Sequence, residues 1–81
     1  MDEVERGAVD HFRDAMVAGD AEAARLALHP YLHWTDPSGS VVRGRVNVLA
    51  ALSIGGVPAL PESIELRDGQ IYRWVSEPLA E

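Results

Sequence analysis

The chain has 81 residues, enough for one domain and too few for a second core. Its seven basic residues, all arginine, stand against 13 Asp+Glu, and the formal net charge of -6 repels phosphate backbones and anionic lipid, which argues against nucleic acid and membrane partners. With no cysteine there are no disulfides and no cysteine metal sites, so self-association is the usual route by which so small a domain adds burial.

No apolar run approaches the roughly 20 residues of a membrane span. The opening Met1-Asp2-Glu3-Val4-Glu5 is acidic where a secretory signal would be basic and then apolar, so the cytoplasm is the expected compartment. Arginine without lysine, beside abundant Ala, Val and Gly, fits a GC-rich bacterial genome.

Residues 3–18 read as a helix, with Val4, Ala8, Phe12, Ala15 and Met16 recurring at helical steps and charges around the rest of the wheel. Gly19 suits its C-terminal cap and Asp20 the N-cap of a second helix over 21–28, with Ala24, Ala27 and Leu28 as its apolar face. Pro30 is expected to end that helix, leaving His29 at its C-terminus. Tyr31 to Asp36 is strand-like, Asp36-Pro37-Ser38-Gly39 is a turn and Ser40 to Val42 a short return, which makes 31–43 a hairpin. A third helix follows over about 45–53, carrying Val46, Leu49, Ala50 and Leu52. Gly55 to Pro61 is irregular and joins the two halves of the domain. Glu62 to Leu66 and Gln70 to Val75 form a second hairpin around Asp68-Gly69. Strict alternation puts Ile71, Arg73 and Val75 on one face of the last strand and Tyr72 with Trp74 on the other. The tail from Glu77 onward is expected to be loose.

Several short motifs occur in a familiar order. Gly19-Asp20 closes the first helix, His29-Pro30 leads into the aromatic strand Tyr31-Leu32-His33-Trp34, and Asp36 to Gly39 forms the turn. Gly44-Arg45 then opens helix three, and Asp68-Gly69-Gln70-Ile71 precedes Arg73-Trp74. In this order the chain resembles nuclear-transport-factor-2-like proteins of the SnoaL-like, polyketide-cyclase-like kind. The resemblance implies an α+β fold: a curved, mostly antiparallel sheet of about four strands against three helices, a shortened form of the cystatin-like cone. It also implies a homodimer. Relatives of this kind are well over a hundred residues long, with about six strands around a conical pocket. Here only the stretch between Ser53 and Glu62 separates helix three from the closing hairpin, so the central long strands are missing.

The candidate site residues each carry two readings. Asp36 is the first residue to suspect of chemistry, since such proteins often use a pocket carboxylate as general base or acid. Theirs, however, commonly lies on one of the strands missing here and does not carry over onto Asp36. With Tyr31 or Tyr72 as an oxyanion donor it makes the one set that can be assembled; the other reading is that it opens its turn through an Asx hydrogen bond. Trp34 and its neighbour His33 must point to opposite faces, so Trp34 either lines a pocket or fills the core. Tyr31, Tyr72 and Trp74 make an aromatic wall for a small apolar ligand or a dimer contact, and the open edges of a short sheet favour the contact. Arg73 pairs with Glu65 across the hairpin or with an anionic ligand. His11 reads as a partly buried structural histidine. The spacing of His11, His29 and His33 matches no ligand pattern, so neither metal nor cofactor is expected. The first functional reading is a non-catalytic dimeric module for binding or assembly. The alternative is a small-molecule binding protein, or an isomerase or cyclase working through Asp36.

Overall fold

The computed structural model describes residues 1–78; the tail expected to be loose falls mostly on residues 79–81, outside the described part. Helix α1 spans Glu3–Ala18. Asp2 and Glu5 close a capping box at its start, and Gly19 ends it with a left-handed φ of 72°. Asp20 caps the short helix α2, Ala21–Ala27, by accepting from the Ala23 N–H at 3.0 Å. Strand β1 follows at once, Leu28–Thr35, and β2 is Val41–Arg43. Helix α3 is Arg45–Gly55, and strands β3, Pro61–Arg67, and β4, Gln70–Ser76, complete the chain.

The four strands form one mixed sheet in the order β2-β1-β4-β3. β1 and β4 run parallel at its centre, and each pairs antiparallel with its own hairpin partner at an edge. The β3–β4 turn is Asp68-Gly69, whose φ values of 54° and 77° are the two positive ones that a type I′ hairpin needs. All three helices pack on one face of this sheet. The core lies between: Val9, Phe12 and Ala15 from α1, Ala24 from α2 and Val48 from α3 meet Leu32, Trp34, Ile64, Ile71 and Trp74. Two side chains tie distant segments to this framework, Arg13 Nε donating to the Pro58 carbonyl and Gln70 Nε2 to the Leu26 carbonyl.

The α+β fold and its hairpins follow the sequence pattern; several details do not. Helix α2 stops at Ala27, and Pro30 lies inside β1. Proline is tolerated there because β1 leaves its ladder with β4 between Leu28 and His33, so no hydrogen bond is lost. His29 is therefore a strand residue, buried, with its Nδ1 accepting from the Tyr31 N–H at 3.1 Å. His11 is exposed, not partly buried. Val9 takes the core position that periodicity gave to Val4, and Val48 takes that of Val46, both displaced residues lying mostly in solvent. Two residues apart on a helix are about 200° apart, so only one of Val46 and Val48 can face the sheet.

The largest correction concerns β4. Glu65 pairs with Arg73 while Leu66 pairs with Ile71, so Tyr72 is an extra residue on β4. Such a bulge breaks the strict alternation of faces. Ile71 and Trp74 both face the core, and Tyr72 and Arg73 both face outward. Tyr72 and Trp74 do not share a face, and Arg73 is nowhere near the interior.

Candidate functional site

The inner side of the sheet is filled. Val42, Trp34, Trp74 and Ile64 are directly paired across the four strands, one from each, and form a single row beneath the helices. Trp34 and Trp74 are 5% and 0% exposed. Their rings stack with centroids 4.3 Å apart and planes 10° from parallel, and Phe12 meets both edge-on at 6.1 and 5.8 Å. The space where a cone-shaped fold would hold a ligand is taken by two indoles. Trp74 cannot be a surface anchor for a dimer, because it is wholly inside. Its indole N–H has no acceptor among the described residues, a cost of about 1–3 kcal/mol that the packing of the ring offsets.

Asp36 sits on the turn after β1. Its Oδ1 accepts from the Ser38 hydroxyl at 2.6 Å, the Ser38 N–H at 2.9 Å and the Ser40 N–H at 3.0 Å. These donors, the Ser38 hydroxyl first, hold its carboxyl below the usual aspartate range. A pocket acid or base needs the opposite shift, from burial among apolar groups. The structure does not bring Asp36 together with Tyr31 or Tyr72: it lines an open depression of about 210 Å3 with Glu62, Ser76 and Pro78. A second depression, of about 250 Å3, lies between α1, α2 and α3 and is lined by Met16, Ala24, Leu49 and Ser53 among others. Neither reaches the roughly 300 Å3 usual for small-molecule sites. Among the described residues no group of three or more His, Asp or Glu is arranged to hold a metal.

The outer side of the sheet is where the remaining candidates gather. No helix covers it. The four residues between Leu28 and His33, 29–32, face the single residue Tyr72 on β4, and this mismatch draws an aromatic cluster together. The Tyr72 ring lies 5.2 Å from His29 and 5.5 Å from His33, centroid to centroid, and His29 lies 5.8 Å from Tyr31. The Arg67 guanidinium carbon stands 4.1 Å above the Tyr72 ring, a cation–π contact. Tyr31 projects from this cluster and is largely exposed.

Beside the cluster two ordered rows cross the outer face. One is Arg43, His33, Arg73 and Glu65; the next is Val41, Thr35, Val75 and Ser63, each residue directly opposite its neighbour on the adjoining strand. Arg73 and Glu65 are cross-strand partners as expected, yet no ion pair closes between them. The other arginines are engaged: Arg6 with Asp10, Arg25 with Glu22, Arg13 and Arg45 with backbone carbonyls, Arg67 with Tyr72. Arg43 and Arg73 alone have no such side-chain partner among the described residues. Seven of the 13 carboxylates fall in the first 22 residues, on α1, its flanks and the start of α2, and the two outer rows carry one, Glu65. Sequence reasoning found Tyr31, Tyr72 and Arg73 but not the rows, which depend on a pairing between strands far apart in sequence.

Three helices on one face of a four-stranded mixed sheet, with its hollow filled by aromatic side chains, define a compact α+β domain of the cone-shaped class. No family model and no curated protein matches the sequence. The crystal structure of an NTF-2 like protein of unknown function from Burkholderia xenovorans LB400 matches with a TM-score of 0.64 at 20% identity, over 98% of this chain and 88% of that one. The chain has the nuclear-transport-factor-2-like fold. Coverage this high of both chains means that the short form is shared with that protein and is not peculiar to this sequence.

Proposed function

We propose that this protein is a non-catalytic module for binding and assembly that works as a homodimer. The observation that carries the reading is the stacked Trp34–Trp74 pair, which occupies the interior a ligand would need. Asp36, engaged in its turn and held below the ordinary aspartate range by the Ser38 hydroxyl, is poorly suited to take or give a proton near neutrality. A one-sided sheet with an uncovered aromatic face gives such a module a natural surface for a second copy. The shared fold lends nothing more specific, since this architecture hosts many chemistries.

Native mass spectrometry of protein purified under mild washing tests the reading. Particles free of any bound small molecule are expected. A small molecule retained at one per chain would overturn it in favour of a ligand-binding role.

A further inference from the structure

We infer that the groove between α1, α2 and α3 is the docking site for an amphipathic helix of another protein, one with Lys or Arg along a flank of its apolar stripe. The inference rests on the reading of the protein as a binding module and adds which surface binds and what kind of partner it takes. It comes from α3, an exposed helix with an apolar outer side.

Residues 46–61 carry no charge at all, in a chain with 13 acids and seven arginines. Only Val48 of α3 is buried. Val46, Ala50 and Ile54 recur at four-residue steps on the side turned away from the sheet, with Val46 74% and Ile54 91% exposed. A helix that is apolar on every side is ordinarily covered on every side. Next to this stripe Leu49 and Ser53 turn into the groove, whose opposite wall includes Ala15, Met16 and Ala24. Small side chains there let a partner come close, and the depression of about 250 Å3 takes a few anchoring side chains more readily than a whole ligand. An extended segment would leave backbone groups unpaired against such walls, whereas a helix satisfies its own.

The charge around the groove sets the sign of the partner. Ala15 and Met16 near the end of α1 and Ser53 in the last turn of α3 line it together, so two helix C-termini meet there. Each carries roughly half a negative charge, and neither helix has a basic residue in its last turn to offset it. Asp20 adds a carboxylate at the rim. With the whole chain at -6, a second copy or an anionic membrane is repelled from this face and a basic segment is drawn to it.

A synthetic helix of about 18 residues, long enough to hold its shape in water, tests the site. It carries Leu at i, i+3, i+4 and i+7 spacing, Lys along one flank and Gln elsewhere. Fluorescence anisotropy should show it bound at least about tenfold tighter than a scrambled peptide of the same composition, or than one with Glu in place of Lys. Amide chemical-shift changes on binding should fall within residues 15–24 and 46–54. Ile54→Glu, at a position already in solvent and harmless to folding, should weaken binding at least about tenfold, and Val46→Glu likewise. Asp20→Asn keeps the helix cap but loses the charge, and should weaken binding about threefold and flatten its salt dependence. Circular dichroism checks that each variant is folded. If the scrambled or the Glu peptide binds as tightly, or Ile54→Glu changes nothing, the docking site is overturned while the module reading stands on its ligand-free mass spectrum. If wild type co-sediments with phosphatidylcholine vesicles and Ile54→Glu does not, lipid covers this face; if Ile54→Glu lowers the particle mass, a second copy does. Either result overturns the inference. A small molecule retained in native mass spectrometry instead removes the reading on which it rests.

Discussion

Tyr72 is the residue at which a reading of alternating faces fails. Nothing in Gln70-Ile71-Tyr72-Arg73 marks a bulge: there is no glycine, and each residue suits a strand. The bulge is fixed by the partner strands, since both β1 and β3 slip register against this point, and a slip of one residue moves side chains to the other face. Asp36 is the opposite case, because the Asx turn was legible in Asp-Pro-Ser-Gly and its hydrogen bonds are local. Its charge carries a pH prediction. With its folded pKa depressed, Asp36 stabilises the native state fully above the unfolded value near ~3.9, and the contribution fades as pH falls through the lower folded value. Asp36→Asn keeps an acceptor but loses the charge. Thermal melts should therefore find it less stable than wild type at about pH 6, with the gap closing below about pH 3. A gap that stays constant over that range would contradict the assignment.

Element boundaries and hairpin turns were largely legible because they depend on caps and turn residues close in sequence. Asp2 with Glu5, Gly19, Asp20 and Asp68-Gly69 each satisfy a local backbone need, and the chain turns where they stand. Which apolar residue faces the sheet was less legible. Val4 and Val9, or Val46 and Val48, are equally apolar, and only the position of the sheet beneath the helix chooses between them. The parallel pairing of β1 with β4 was not legible at all, since it joins strands separated by β2, α3 and β3. That pairing brings Trp34 and Trp74 together under Phe12 of α1. Trp74→Ala should cost about 3–5 kcal/mol through the cavity it opens, a large share of what a chain this size has. Urea denaturation followed by circular dichroism is expected to register a steep fall in midpoint or an unfolded chain. A folded variant of near wild-type stability would mean that the indole is not the keystone of this core.

At the scale of the whole molecule, the chain is asymmetric in two ways that point in one direction. Its helices lie on one face of the sheet, and seven of its 13 carboxylates fall on α1, its flanks and the start of α2. What is left is a face of aromatic rings and ordered polar rows, with two arginines and a glutamate that find no ion-pair partner within the described chain. Among the described residues no helix is long and apolar enough to cross a membrane. The region from Gly55 to Pro61, where the family pattern suggested lost strands, is a short tether held by Arg13 at Pro58, and the compact form recurs in the NTF-2 like protein from Burkholderia xenovorans LB400. The proposed dimer would add the burial that a domain without staples lacks. Light scattering on the wild-type protein across rising micromolar concentrations tests this most directly. The account predicts a mass that climbs to twice that of one chain, and a mass that stays at one chain throughout would contradict it.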